Sequence, residues 1–203
     1  MVAGDDRADE IDRLRHEILA CRVCEGQLPY PPRPLMAISD TARSVITGQA
    51  PGRRAHESGV PWNDPSGMRL REWMGISDKD FYDPAMVALV PMGFCFPGTG
   101  KSGDLPPCRE CAPQWHDRIH AMLPQRRLTL LVGTYAQKAG LPKEFGTTLE
   151  PRIRNSIASG GNVIALPHPS WRVVGWRNRN PWFEKEVLPA LRLRVARMMQ
   201  SQG

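Results

Sequence analysis

The chain has 203 residues, of which 41% are hydrophobic, and this size suits one globular domain with a sizeable core. No stretch approaches about 18 apolar residues, and the charged N-terminus lacks a signal-peptide pattern, so we expect a soluble cytoplasmic protein without a transmembrane helix. The net charge is +6, and basic residues dominate between positions 152 and 197. This excess predicts either an acidic partner such as nucleic acid or a solvated arginine-rich surface.

Short apolar runs alternate with helical patterns along the chain. Apolar positions at helical spacing predict helices over residues 9–20, 67–75, 114–123, 133–140 and 181–200. Continuous apolar runs predict four strands, over residues 42–47, 86–91, 128–132 and 163–166. This alternation indicates an α/β fold with a four-stranded, mainly parallel sheet.

Two loops follow predicted strands and should meet at the same edge of the sheet. The first, GQAPGRRAHESGVPW, covers residues 48–62 after the first strand, and PHPSW follows the fourth strand at residues 167–171. Ligands of open parallel sheets bind at the carboxyl ends of the strands, where both loops are expected. His168 in the second loop could donate a hydrogen bond to a developing anion, although a histidine after a strand is more often structural.

A third loop, GTGKS at residues 98–102, ends like a phosphate-binding P-loop. Cys95 stands where the first glycine of that motif is required, and no helix pattern follows the lysine. The sequence therefore predicts a flexible basic loop near a phosphate backbone, not a nucleotide site.

The five cysteines include two CxxC pairs, at residues 21 and 24 and at residues 108 and 111. The odd number without a signal peptide argues against a disulfide framework. The 83 residues between Cys24 and Cys108 exclude a compact zinc ribbon, but tertiary folding could close a zinc or iron–sulfur site. Unrelated buried or redox cysteines are the alternative.

The motifs GQAPG, GVPW at residues 59–62 and HPS at residues 168–170 together resemble the uracil-DNA glycosylase superfamily. The resemblance covers nearly the whole chain and is nearest to the bacterial iron–sulfur (family 4/5-like) enzymes. It implies one domain over residues 1–203, a three-layer α/β/α sandwich, and action as a monomer on DNA that contains uracil. The implied reaction hydrolyses the N-glycosidic bond of a flipped deoxyuridine. A non-catalytic uracil or abasic-site binder on the same fold is the alternative.

The resemblance also implies a 4Fe–4S cluster that ties the N-terminal helix to the core. In the similar enzymes an N-terminal CxxC pair is followed by two cysteines with fifteen residues between them, as Cys95 and Cys111 have here. The implied ligands are Cys21, Cys24, Cys95 and Cys111, with Cys108 as a spare and zinc as the alternative metal.

Several site residues follow from the same resemblance. The first loop should wrap the base through Gly48, Gln49, Ala50, Pro51 and Gly52. Gln49 and His168 are expected to be catalytic, His168 by stabilising negative charge on the departing uracil. Trp62 stands where similar enzymes have a phenylalanine that stacks on the base; ordinary core packing is the alternative.

DNA contacts are expected after the fourth strand. Ser170 should hold a phosphate, and Trp171, Arg172 and Val173 should belong to a loop that probes the minor groove. Arg172, Val173 and Val174 are the expected wedges that fill the space left by the flipped base.

The chain lacks an acidic pair that similar enzymes carry after the first loop, because Ala55 and His56 stand there. A carboxylate suits the task of holding a water near the anomeric carbon. We predict Asp64 for this role, in preference to His56 and Glu57. A helix N-cap is the alternative role for Asp64.

The chain also lacks the asparagine that reads uracil in other members, since none occurs between Asn63 and Asn155. Uracil selection is therefore expected to rest on backbone groups of residues 92–94, ending at Phe94, or on Asn63. Gln49 replaces a glutamate of the nearest enzymes, and other uracil glycosylases carry glutamine there.

Overall fold

The computed structural model describes residues 3–101 and 103–200, with side chains from residue 7 onward. In these ranges the strands are β1 (Ser44–Thr47), β2 (Val87–Leu89), β3 (Thr99–Gly100), β4 (Gly103–Asp104), β5 (Leu128–Val132) and β6 (Val163–Leu166). Four of them form one parallel sheet in the order β2-β1-β5-β6, and β3 pairs with β4 as a separate antiparallel hairpin. The four-stranded parallel sheet predicted from the sequence is confirmed.

Helices connect the strands. They are α1 (Ala3–Leu19), α2 (Arg53–Ser58), α3 (Pro65–Met74), α4 (Asp78–Tyr82), α5 (Cys111–Met122), α6 (Thr134–Gly140), α7 (Leu149–Ala158), α8 (Val173–Arg179) and α9 (Leu188–Gln200). The sequence did not predict α2, α4, α7 or α8. Of these, α2, α4 and α8 have only five to seven residues, which is too short for a clear apolar periodicity.

The last predicted helix, over residues 181–200, is not a regular α-helix throughout. A π-helical turn covers Phe183–Val187, and the N–H of Leu188 donates to the carbonyl of Phe183. Pro189 explains the irregularity, because it lacks an N–H and its ring clashes with the carbonyl four residues earlier in an α-helix.

The sheet is covered on both faces, which confirms the three-layer arrangement. One core cluster joins β1 at Ile46 to α3 and α9, for example at Trp73 and Leu191. The other joins β1 at Val45 to α1 and α5, for example at Ile18. Neighbouring residues of β1 point to opposite faces because side chains alternate along a strand.

Two of the arginines near the C-terminus form ion pairs within the fold. Arg154 pairs with Glu150 and Glu186, and Arg177 pairs with Glu184. The number of basic residues in this segment therefore overstates the positive charge that is available to a nucleic acid. Among the described helices, none has the length and apolar character needed to cross a membrane.

Candidate active site

A cavity of about 470 Å³ opens at the carboxyl edge of the sheet, between the loops that follow β1 and β6. Most predicted site residues line it: Gly48, Gln49, Ala50, Pro51, Gly52, Trp62, Asp64, His168, Ser170, Trp171 and Arg172. The apolar side chains of Leu35 and Leu89 also line the cavity. Its size and mixed lining suit a small polar ring such as a nucleobase.

Trp62 forms one wall and has an unusual backbone conformation. Its φ is 57°, in the left-handed region that costs a bulky residue about 1–3 kcal/mol. A Cβ on Gly67 would lie 1.8 Å from the Trp62 carbonyl oxygen, and one on Gly48 would lie 2.7 Å from its ring. These glycines let the indole reach the cavity, where it stacks on His168 with ring centroids 6.0 Å apart. Trp62 also packs against the core, which is the alternative role considered for it.

Asp64 serves as the N-cap of α3 and lines the cavity as well. Its Oδ1 accepts a hydrogen bond of 2.8 Å from the backbone N–H of Gly67. Its Oδ2 lies 3.7 Å from the position that a Cβ would take on Gly52. Oδ1 therefore fixes the orientation of the carboxylate, and Oδ2 lies toward the first loop at Gly52.

The two alternatives to Asp64 lie elsewhere. Glu57 is exposed on α2, and His56 packs against Tyr30 and Phe96 with ring centroids 5.2 and 5.8 Å away. Neither residue lines the cavity. Of the three groups considered for water activation, only Asp64 lines the cavity.

His168 is partly buried and faces the two carboxylates of the cavity. Burial lowers its pKa below the ordinary 6.5, and the charges of Asp64 and Asp104 oppose this effect only in part. The imidazole is therefore neutral at neutral pH. A neutral imidazole can donate one N–H to an anion without carrying a full charge.

Gln49 connects the first loop to the β3–β4 hairpin. Its Nε2 donates a 2.9 Å hydrogen bond to the carbonyl of Leu105, the residue after β4. The sequence predicts a loop over residues 98–102 and does not predict the short β3–β4 pairing. This pairing brings Gly103 and Asp104 to the cavity wall. Sequence reasoning missed Asp104, which carries no local motif.

The two side chains predicted to help select uracil, those of Phe94 and Asn63, do not line the cavity. Phe94 is only 2% exposed and packs in the core, while Asn63 is exposed and does not line the cavity. The backbone N–H groups of Met92 and Gly93 donate to the carbonyls of Gly48 and Gln49, at 2.9 and 3.0 Å. They hold the first loop in place and are not free to read a base.

The segment after PHPS forms the short helix α8, where a probing loop was expected. Val173 is 5% exposed and belongs to the main core, so its prediction as a wedge is wrong. Trp171 is 75% exposed at the cavity mouth, with the guanidinium of Arg172 5.4 Å from its ring. Val174 is also exposed. The large apolar group that projects here is Trp171.

The turn that carries Ser170 is fixed from two sides. Arg69 of α3 donates a 2.6 Å hydrogen bond to the carbonyl of Pro169, and the Ser170 carbonyl accepts from Val173. These contacts couple the position of His168 and Ser170 to α3, whose first turn carries Asp64.

A small cavity of about 10 Å³ has four cysteines in its lining: Cys21, Cys24, Cys95 and Cys111. Burial, together with the smaller effect of nearby thiols, raises the pKa of Cys95 to about 11 and that of Cys111 to about 12. Cys108 lies beside this set, and its ligand atom, that of Cys24 and a carboxylate oxygen of Glu110 lie within 4.8 Å of one another. Cys24, Cys108 and Glu110 thus form a group of three side chains that could hold a metal ion.

The family model described as the uracil DNA glycosylase superfamily matches residues 36–192. The matched range includes the first loop, Asp64, the β3–β4 hairpin and His168, but not the CxxC pair at residues 21 and 24. The chain belongs to the uracil DNA glycosylase superfamily.

Proposed function

We propose that this protein is a monofunctional uracil-DNA glycosylase that releases uracil from DNA and leaves an abasic site. The observation that carries the proposal is one cavity that combines a stacking ring, a fixed carboxylate and a neutral imidazole: Trp62, Asp64 and His168. These groups match the needs of N-glycosidic hydrolysis, in which a base leaves as an anion and a water attacks the sugar.

The reaction begins with a deoxyuridine flipped out of the duplex into the cavity. Trp62 stacks on the base, and the backbone of the first loop surrounds its polar edge. Stacking of this kind contributes about 1–3 kcal/mol per base. As the bond between C1′ and N1 breaks, its electron pair moves to the uracil ring. The N–H of His168 donates to the resulting anion, and the uncharged imidazole retains its proton.

Asp64 completes the reaction from the side of the sugar. Its Oδ2 accepts a proton from the water that attacks C1′, and the new C1′–O bond replaces the broken bond to N1. The proton is then available to the uracil anion. The products are free uracil and an abasic deoxyribose.

Trp171 is proposed to enter the duplex where the uridine leaves. Its exposure and its place at the cavity mouth support this role. Trp171→Ala should weaken binding to uracil-containing duplex about tenfold, a loss in the range of one base stack. Fluorescence anisotropy measures the affinity.

Leu193→Ala, which truncates another exposed apolar side chain but on α9, is the matched control and should bind like the wild type. Equal losses in both variants would remove Trp171 from the proposed role.

We further propose that Cys21, Cys24, Cys95 and Cys111 hold a 4Fe–4S cluster. The small cavity whose lining these four side chains share supports this ligand set. Such a cluster would be structural, because it would join the end of α1 to the segment between β2 and α5. The alternative is zinc held by the two CxxC pairs. The proximity of Cys108 to Cys24 supports this alternative.

Cysteine variants separate the two metal sites. For the iron–sulfur site, anaerobically purified Cys95→Ser should lose its iron, sulfide and visible absorbance, whereas Cys108→Ser should keep them, since only Cys95 lines the four-cysteine cavity. Metal analysis and absorption spectra give the answer. Zinc in the wild type that persists in Cys95→Ser and disappears in Cys108→Ser would contradict the cluster.

The activity is tested on an oligonucleotide with a single uracil. Incubation with protein, followed by alkaline cleavage at abasic sites, should give the short product on a denaturing gel. Parallel substrates with hypoxanthine and xanthine measure selectivity, which matters because no side-chain amide between residues 92 and 94 is present to read uracil. Specific binding without product would favour a non-catalytic binder on the same fold.

A further inference from the structure

We infer that Asp104 is a second catalytic carboxylate of this site, supplied by the β3–β4 hairpin and acting on the deoxyribose together with Asp64. The inference rests on the proposed function, because it names a further residue for the same reaction. The first loop is not followed by an acidic pair, because Ala55 and His56 stand at those positions. Among the described residues that line the cavity, the carboxylates are those of Asp64 and Asp104.

The two carboxylates converge on the same place. The Oδ2 atoms of Asp104 and Asp64 lie 3.3 and 3.7 Å from the position that a Cβ would take on Gly52. Both charges also act on His168, whose pKa they raise against the effect of burial. A group bound between Gly52 and His168 therefore has one carboxylate from α3 and one from the hairpin within reach.

The hairpin contacts Asp104 through one of its carboxylate oxygens, although the side chain is exposed and its contact is longer than that of Asp64. The Thr99 hydroxyl donates to Asp104 Oδ1 at 3.4 Å, opposite it in the ladder, which leaves Oδ2 toward Gly52. The base of the hairpin is closed by the Leu105 N–H to the Gly98 carbonyl at 2.9 Å. Gln49 then fastens Leu105 to the first loop. The position of Asp104 is thus fixed relative to the loop that surrounds the base.

Two carboxylates allow a division of roles. When the C1′–N1 bond lengthens, the electron pair leaves with uracil and positive charge develops on C1′ and the ring oxygen. The Asp104 carboxylate stabilises this charge electrostatically, without exchanging a proton. Asp64 takes the proton of the attacking water. This division explains how the chain can do without an acidic residue at Ala55 and His56.

The direct test uses duplexes with a stable abasic analogue in place of the uridine. One analogue is a pyrrolidine that carries a positive charge at the sugar, and the other is a neutral tetrahydrofuran. The wild type should bind the cationic duplex more tightly than the neutral one. In Asp104→Asn the ratio of the two affinities should fall about tenfold. Single-turnover uracil release should fall about 100-fold in the same variant.

Asp9→Asn, an exposed aspartate on α1, controls for the change in net charge and should keep both wild-type values. Asp104→Asn with an unchanged preference and an unchanged rate would overturn the inference while leaving the proposed function intact. A wild type that releases no uracil would overturn the proposed function. In that case a cation preference lost in Asp104→Asn would still support the carboxylate role.

Discussion

Asp64→Asn should slow uracil release under single-turnover conditions by about 100- to 10,000-fold, the usual contribution of a positioned general base. Asparagine cannot accept the proton of the attacking water. It can still accept the 2.8 Å hydrogen bond from Gly67, and it is as good an N-cap as aspartate. Rapid-quench kinetics with enzyme in excess measure the rate, and DNA affinity should remain close to that of the wild type.

Asp64→Ala separates the two roles of this side chain. It loses both the carboxylate and the cap, so it should be as slow as Asp64→Asn and also about 1 kcal/mol less stable. Denaturant unfolding of the three proteins gives the stability difference. A wild-type rate in Asp64→Asn would remove Asp64 from the mechanism and leave it only the capping role.

His168→Ala should slow uracil release about 100- to 1,000-fold, in the range found for removal of one donor to a developing anion. His168→Asn offers an amide N–H at a similar place, and we expect a rate between those of the wild type and the alanine variant. A single-turnover comparison of the three proteins on one uracil duplex decides the point. Equal rates in the alanine and asparagine variants would argue against hydrogen-bond donation.

The protonation state of His168 determines how the rate of uracil release should depend on pH. Because burial lowers its pKa below 6.5, the neutral form predominates at and above that pH. The rate should therefore not decline as the pH rises from 6.5 to 8, as it would if an imidazolium were the active form. A decline that His168→Asn abolishes would contradict the neutral-imidazole role.

The sheet could be predicted from the sequence because buried parallel strands are continuous apolar runs. LTLLV at residues 128–132 and VIAL at residues 163–166 coincide with β5 and β6. The two loops could be placed together for the same reason, since the carboxyl ends of parallel strands share one edge. Trp62, Asp64 and His168 then line one cavity.

Other features depend on tertiary contacts that leave no local pattern. Asp104 reaches the cavity only because a two-residue ladder folds and docks through Gln49 and Leu105. Val173 looks like an exposed wedge in the sequence, but α8 turns it into the core. Similarly, Phe94 follows β2 as a site residue would, yet it packs beneath the sheet edge.

The reaction proposed for the cavity is cleavage of the bond between uracil and deoxyribose. Mass-spectrometric quantification of free uracil from a duplex with one uracil, with Asp64→Asn in parallel, tests this reaction. We expect one uracil released for each abasic site formed by the wild type, and far slower release by the variant. Stable binding of an intact uracil duplex by the wild type, with no free base, would contradict it.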